Sequence, residues 1–128
     1  MKRGINALYR AKAEEFASAL LRAFGDQIHT VVLYGSTARK RARRESDIDL
    51  LVVGETRQLK EPVFDLAFDI MAAEAFEMWL SVVYHTREEI QRLYDLGSPF
   101  LDNVLTEGVF LFDDGTAAQI RERVLAGC

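Results

Sequence analysis

"IHTVVLYGSTARKRARRESDIDLLVVG", residues 28–54, contains two strand-like runs separated by a short basic segment. The first run, residues 28–34, is short and rich in β-branched residues, which is typical of a buried strand. The second run, residues 47–53, begins with two aspartates at alternate positions and stops at Gly54. About a dozen residues connect the two runs, which is marginal for a parallel crossover, so the pattern leaves parallel, antiparallel and mixed pairing open.

Helix-like and strand-like segments alternate through the rest of the chain. Apolar residues at helical spacing precede Gly25, a glycine placed where a helix would end. Further helices are predicted from Pro62 to about Phe76, from a capping box at Thr86, from Ser98 to near Gly108, and over residues 116–126. Strands are predicted over residues 78–84 and 109–112. The alternation predicts an α/β (α+β) fold, with a small mixed β-sheet flanked by helices.

The composition limits the class of protein. With 128 residues, 49% of them hydrophobic, the chain suits a single domain spanning residues 1–128. It contains no apolar run long enough to cross a membrane, and its first residues are too charged for a signal peptide. The single cysteine, Cys128, has no partner for a disulfide within the chain. We therefore expect a cytoplasmic protein without a membrane segment.

The distribution of charge points to a small anionic ligand. The net charge is −4, which disfavours nucleic acid as the partner. Residues 39–44, RKRARR, nevertheless form a local cationic run. Such a run on an acidic protein suits a compact anion such as a nucleotide, although most charge runs are simply solvated.

Asp47 and Asp49 form the first candidate site. Side chains at positions i and i+2 of a strand point to the same face, so the two carboxylates should stand side by side. Two neighbouring carboxylates repel each other, and a divalent cation such as Mg²⁺ relieves that repulsion while also binding phosphate oxygens. The alternative is a pair of solvated aspartates at the start of a strand, because the Asp-x-Asp pattern is common.

Gly35 and Ser36 form the second candidate site. They lie between a strand and a short predicted helix, where backbone N–H groups and the helix dipole favour an anion. The absence of a side chain at Gly35 lets a phosphate approach the backbone, and the Ser36 hydroxyl can donate a hydrogen bond to it. An ordinary strand-to-helix turn is the alternative, since Gly-Ser suits that equally well. Together with the aspartates, the pair suggests chemistry on a nucleoside triphosphate.

These motifs resemble those of a known family. "GSTAR" (35–39) followed by "SDIDLLVV" (46–53), and "EGVFLF" (107–112), resemble the minimal nucleotidyltransferases of the polymerase-β superfamily, of the kind paired with HEPN proteins. The resemblance covers about residues 10 to 113. It implies a mixed three-stranded sheet flanked by helices, ATP with Mg²⁺ as the usual nucleotide, and a helical HEPN-type partner in a toxin–antitoxin pair.

The resemblance also implies roles for individual residues. Gly35 and Ser36 would hold the β- and γ-phosphates, and Asp47 and Asp49 would be the catalytic metal ligands. Arg39 lies about one helical turn beyond Ser36 and would reach the same phosphates, unless it is merely a solvated arginine.

Two departures from the family pattern are visible. Lys40 stands where the pattern has a glycine. Active members also use a third carboxylate on the third strand, to bind the catalytic metal and help deprotonate the attacking hydroxyl. Here Glu77 and Ser81 are the residues on the predicted face, so either Glu77 supplies the third acid or Ser81 occupies its place and catalysis is weakened. Asp65 and Asp69 are further candidates, better explained as the solvent face of the third predicted helix.

The third predicted helix also bears on partners. Its apolar residues cover a wider arc than packing on one sheet face needs, so it is either deeply buried or exposes an apolar strip for another chain.

Taken with the family resemblance, the sequence predicts transfer of a nucleoside monophosphate, most simply AMP, from MgATP to a hydroxyl on a HEPN-type partner. The alternative is a catalytically weakened binding module that neutralises a helical partner. A homo-oligomer remains open.

Overall fold

The computed structural model describes residues 4–38 and 47–127, without the side chains of residues 36 and 37. Helices and strands alternate along the chain in the predicted manner. In chain order they are α1 (Ile5–Phe24), β1 (Ile28–Tyr34), α2 (Gly35–Ala38), β2 (Ile48–Gly54), α3 (Lys60–Ala73), β3 (Leu80–Thr86), α4 (Arg87–Asp95), α5 (Pro99–Glu107), β4 (Val109–Asp113) and α6 (Thr116–Ala126).

The described strands form a four-stranded mixed sheet in the order β3-β2-β1-β4. Strand β1 runs antiparallel to both of its neighbours, whereas β2 and β3 are parallel. The predicted mixed sheet flanked by helices is confirmed, and the β1–β2 pairing that the short connection left open is antiparallel. Strand β4 adds a fourth strand to the three that the family resemblance implied.

Apolar side chains cover both faces of the sheet. One face packs against α1 and α3, through residues such as Phe16 and Val63 on the helices and Leu50 and Val52 on β2. The opposite face packs against α4, α5 and α6 and includes the alternate β2 residue Leu51. The near-continuous apolar run of β2 follows from this burial on both sides, because each face receives every second residue.

Local signals at the helix ends act as the sequence predicted. Gly25 follows α1 with φ of 55°, a left-handed conformation that glycine adopts without strain. The Thr86 hydroxyl accepts a hydrogen bond from the Glu89 backbone, and the Glu89 carboxylate accepts one from the Thr86 backbone, completing the capping box. Ser98 caps α5, accepting from the backbone N–H of Leu101 at 3.3 Å.

The connection between α3 and β3 differs from its prediction. Helix α3 ends at Ala73 rather than near Phe76, and β3 begins at Leu80 rather than residue 78. Between them, Ala75 and Phe76 both have left-handed φ angles, of 53° and 59°. This conformation costs roughly 1–2 kcal/mol for each non-glycine residue, so surrounding contacts must compensate for it. Glu77 and Trp79 therefore precede β3 and do not lie on it.

Candidate functional site

Both predicted metal ligands lie at one end of the sheet. Asp47 immediately precedes β2 and is exposed, while Asp49 lies within the strand and is half-buried. Asp49 shares the strand face of Leu51, which packs beneath the helices α4 to α6. The Asp49 carboxylate therefore belongs to the sheet face that these helices cover.

Gly35 and Asp49 are in direct contact. A Cβ atom added at Gly35 would lie 3.2 Å from Cγ of Asp49 and would collide with its Oδ2 atom. Gly35 also has φ of 75°, in the left-handed region. The glycine is thus required both by backbone conformation and by the space that the carboxylate occupies. The strand-to-helix turn and the carboxylate of β2 thus lie beside each other, as the combination of the two motifs predicted.

Tyr34 belongs to the same site, a role that the sequence analysis did not assign. It pairs with Asp49 across the two antiparallel strands, and its ring packs edge-on against Phe100 with centroids 5.6 Å apart. Burial raises the pKa of the Tyr34 hydroxyl, and the nearby charge of Asp49 raises it further. The phenol is therefore a neutral donor at physiological pH. Only the strand register reveals this role, because Tyr34 by itself looks like an ordinary strand residue.

Ser81 lies next to Asp49 on the other side. In the parallel pairing of β2 with β3, Ser81 is the residue in register with Asp49. Ser81 and Val83 share a strand face, and Val83 packs in the cluster beneath α4 to α6. A serine therefore lies beside Asp49 on β3, and its replacement of the third carboxylate that the family resemblance implies stays a prediction.

Glu77 does not join the two aspartates in a metal-binding group. It is exposed in the turn before β3, where its backbone N–H donates to the Glu74 carbonyl. Within residues 4–38 and 47–127, no three His, Cys, Asp or Glu side chains are arranged to hold a metal ion. Asp47 and Asp49 thus remain a pair of candidate ligands, and a catalytic role for Glu77 stays a prediction.

The structure describes only the backbone of Ser36 and does not include Arg39 or Lys40. Helix α2 begins at Gly35, so Ser36 is its second residue and does not precede the helix as its cap. The side chain of Ser36 lies outside the described atoms. Arg39 and Lys40 lie outside the described residues altogether, and the phosphate contact predicted for Arg39 stays a prediction.

A cavity of about 210 Å³ opens beside Gly35. Tyr34 and Phe100 supply aromatic walls, and α5 contributes Asn103 and Glu107. Apolar walls with a few polar groups are typical of sites that bind small organic molecules. A ligand held at Gly35 and Asp49 could extend into this cavity.

Comparison with known proteins identifies the family. The family model described as "Polymerase beta, Nucleotidyltransferase" matches residues 18–116. A proposed protein adenylyltransferase of Methanocaldococcus jannaschii is 32% identical over 101 residues, covering 77% of this chain and 93% of the relative. The chain belongs to the polymerase-β nucleotidyltransferase family.

Solved structures of similar fold come from toxin–antitoxin pairs. A chain of a toxin–antitoxin complex with AMP-PNP superposes with a TM-score of 0.58 and 18% identity, covering 89% of this chain and 85% of that one. A chain of the complex between the tri-AMPylated HEPN toxin of Shewanella oneidensis and its MNT antitoxin gives a TM-score of 0.51 and 17% identity, covering 93% and 85%. At this level of sequence identity, the likeness concerns the fold.

No helix in the described ranges is long and apolar enough to span a membrane.

Proposed function

We propose that this protein transfers AMP from ATP to a hydroxyl group of a partner protein, with Mg²⁺ bound by Asp47 and Asp49. The observation that carries the proposal is the contact between Asp49 and Gly35, which places a carboxylate able to bind a metal against the backbone turn at which the phosphates would be held. Membership of the nucleotidyltransferase family supports the reaction class.

The residues present fit a bound magnesium ion. Mg²⁺ prefers one or two carboxylates together with phosphate oxygens and water, and does not need a cage built only of protein ligands. Asp47 and Asp49 supply carboxylates, and the absence of a side chain at Gly35 leaves room for the Asp49 carboxylate itself. When bound, Mg²⁺ would neutralise charge on the phosphate oxygens.

The protein residues would position the reactants. Gly35 and Ser36 would receive the β- and γ-phosphates at the start of α2, and Arg39 would add positive charge there. The acceptor hydroxyl would give up its proton to a carboxylate of the site or to water, and its oxygen would form a bond to the α-phosphorus while the bond from that phosphorus to the β-phosphate oxygen breaks, releasing pyrophosphate. Such catalysis consists largely of positioning and charge stabilisation.

The nucleoside would occupy the cavity beside Gly35. Tyr34 and Phe100 offer aromatic surface for the base, and Asn103 and Glu107 offer polar atoms to its edge. With the 6-position of the base against Glu107, the carboxylate would accept a hydrogen bond from the 6-amino group of adenine and repel the 6-carbonyl oxygen of guanine. In that orientation the site would favour ATP over GTP.

A helical HEPN-type protein is the proposed acceptor partner. The support is indirect: the relative is named for protein adenylylation, and chains of similar fold occur in HEPN–MNT complexes, one of them with a tri-AMPylated toxin. The partner, the acceptor hydroxyl and an antitoxin role are all parts of the proposal.

A second function is favoured by one observation. Ser81 stands beside Asp49 where an acid is expected, so activation of the acceptor hydroxyl would be weak. The protein would then bind MgATP and its partner while transferring AMP slowly or not at all, acting as a binding module.

Calorimetric titration with ATP tests the nucleotide site. Affinity should fall when EDTA removes Mg²⁺, and the double variant Asp47→Asn, Asp49→Asn should lose only the metal-dependent part of binding. Glu122→Gln, an exposed carboxylate on α6, is the matched control and should bind as the native protein does. Equal ATP affinity with and without metal would overturn the metal site.

Arg39→Ala should weaken ATP binding more than AMP binding, and equal losses of affinity for ATP and AMP would place Arg39 away from the β- and γ-phosphates.

Incubation with labelled ATP and the co-purified helical partner tests the reaction. Mass spectrometry should detect AMP on a partner hydroxyl, and the double aspartate variant should abolish it. Tight partner binding without transfer, unchanged by Asp47→Asn, would favour the binding module.

A further inference from the structure

Three aromatic side chains form an exposed patch beside the candidate site. Phe68 of α3, Phe76 and Trp79 are 56%, 44% and 51% exposed. Their rings contact one another, with centroids 5.4 Å apart between Phe68 and Phe76 and 6.1 Å apart between Phe76 and Trp79. We call these three residues the aromatic patch. Continuous exposed apolar surface of this kind is typical of interaction sites, whereas single exposed apolar residues are not.

The backbone holds the patch together at an energetic cost. Phe76 lies between the other two rings because Ala75 and Phe76 adopt left-handed φ angles. The turn is a helix C-terminal cap, in which the backbone N–H of Ala75 donates to the Ala72 carbonyl at 3.0 Å and that of Phe76 donates to the Met71 carbonyl at 2.9 Å. These bonds hold Phe76 in place while its ring remains exposed.

The aromatic patch adjoins the end of the sheet that carries the candidate site. The backbone N–H of Ile48 donates to the Trp79 carbonyl at 2.8 Å, so Trp79 adjoins the residue between Asp47 and Asp49. Phe68 lies on α3, which covers the face of the sheet opposite to the Asp49 carboxylate, so a segment bound on the patch would reach the two aspartates around this end of the sheet.

Exposed carboxylates surround the patch. Asp65 and Asp69 flank Phe68 along α3, and Glu77 lies between Phe76 and Trp79 in the chain. We call these three residues the acidic rim. Among the residues that the structure describes, none of the three forms an ion pair, in contrast to Glu74, which Lys12 binds at 2.7 Å.

The charge of the rim selects the kind of occupant. A second copy bound face to face would bring the same carboxylates against one another, and phosphate groups of lipid or nucleic acid would be repelled. A protein segment with apolar and basic side chains would satisfy both the rings and the carboxylates, and arginine would in addition stack on the aromatic faces.

We infer that the aromatic patch and acidic rim bind a basic, apolar segment of the acceptor protein, next to Asp47 and Asp49. The inference rests on the proposed function in one respect, that the bound segment carries the hydroxyl to be modified. The binding itself requires neither nucleotide nor catalysis.

Selection from a phage library of random 12-residue peptides tests the inference on the full chain. We expect enrichment of peptides that combine Lys or Arg with aromatic or branched apolar residues. Trp79 is the only tryptophan in the sequence, so its fluorescence reports binding of a synthetic enriched peptide directly. Raising the salt concentration from 50 to 300 mM should weaken that binding, because screening reduces the attraction of surface charges.

Variants separate the patch from the rest of the surface. Phe68→Ser should weaken peptide binding about tenfold, as removal of an aromatic anchor does, and the double variant Asp65→Asn, Asp69→Asn should remove most of the salt dependence. The matched controls are Leu96→Ser, which changes a 76% exposed leucine after α4, and Glu122→Gln, both of which should leave binding unchanged. Circular dichroism should show native folding in every variant.

Three outcomes would overturn the inference. They are enrichment of acidic or uncharged peptides, binding that Phe68→Ser leaves unchanged, and the absence of any enriched peptide. Flotation with anionic vesicles and sedimentation at increasing protein concentration should show neither membrane binding nor self-association through the patch. Failure of the proposed function would give a different result. If the native protein does not bind MgATP, the proposed function fails, but peptide binding should remain. If peptide binding fails instead, MgATP binding should remain, as it should in Phe68→Ser.

Discussion

The carboxylate of Asp49 lies against the backbone of Gly35, in the space that a side chain at position 35 would occupy. Two residues that are 14 positions apart in the chain are thereby in contact. Because β1 and β2 are antiparallel, the end of one strand meets the beginning of the other, and the turn after β1 faces the aspartates of β2. The candidate site therefore depends on the pairing of these two strands.

Substitution of Gly35 should separate its conformational role from its contact with Asp49. Gly35→Ala introduces a Cβ atom at φ of 75° and displaces the carboxylate, whereas Gly97→Ala introduces one at φ of 71° with no atom within 4 Å. Both variants should lower the free energy of unfolding by about 1–2 kcal/mol, the cost of the left-handed conformation. Only Gly35→Ala should also lose MgATP binding, measured by calorimetry. Equal nucleotide affinity in the two variants would contradict the role assigned to the contact.

Substitution of Ser81 should show whether the third strand limits catalysis. Ser81→Asp places a carboxylate beside Asp49. We expect the rate of AMP transfer to increase by up to about a hundredfold, which is the lower end of the rate enhancement that a positioned general base contributes. Ser81→Asn is the control, because asparagine has nearly the same shape as aspartate but carries no charge. Transfer is measured with labelled ATP and the partner protein.

The same assay decides the role of Glu77. If Glu77 supplies the third acid, Glu77→Gln should abolish transfer even though the residue precedes β3. Robust transfer by Glu77→Gln would remove Glu77 from the catalytic residues and leave Ser81 as the reason for any low activity.

The cavity beside Gly35 should discriminate between bases. Glu107→Gln replaces a carboxylate that only accepts hydrogen bonds with an amide that also donates, so binding of GTP should improve relative to ATP. Loss of one hydrogen bond to a charged group corresponds to about 1.5–3 kcal/mol, so the ratio of affinities should shift roughly tenfold or more. Competition between the two nucleotides for the protein measures this ratio, and Glu122→Gln serves as control. An unchanged ratio would place the base elsewhere.

Tyr84 should make stability depend on alkaline pH. Its hydroxyl donates to the Thr56 carbonyl at 2.5 Å, and burial raises its pKa from 10.0 to about 12, with a smaller contribution from the charge of Glu89. Because the folded state holds this proton more tightly than the unfolded state, the resulting stability is complete below pH 10 and is lost as the pH rises towards 12. Denaturant unfolding between pH 9 and pH 12 should show a steeper decline for the native protein than for Tyr84→Phe. Identical slopes would contradict the prediction.

Local features of the sequence determined most of the elements and their ends. The branched residues of β1, the apolar run of β2, the capping box at Thr86 and the Ser98 cap each act through neighbours within a few positions. Such signals depend on backbone sterics and short-range hydrogen bonds, which is why they are readable without knowledge of the fold. The motif at Gly35 with the two aspartates likewise indicated the family that comparison confirms.

Tertiary structure decided which residues meet. The register of β2 with β3 places Ser81 beside Asp49, and the register of β1 with β2 places Tyr34 there. The sequence left Ser81 and Glu77 as alternatives and did not assign Tyr34, because a shift by one residue would preserve every local propensity while reversing the faces. The left-handed Ala75 and Phe76 run against their own propensities, and their backbone N–H groups donate to the Ala72 and Met71 carbonyls at the end of α3. This turn places Glu77 and Trp79 before β3 and forms the aromatic patch at the edge of the site.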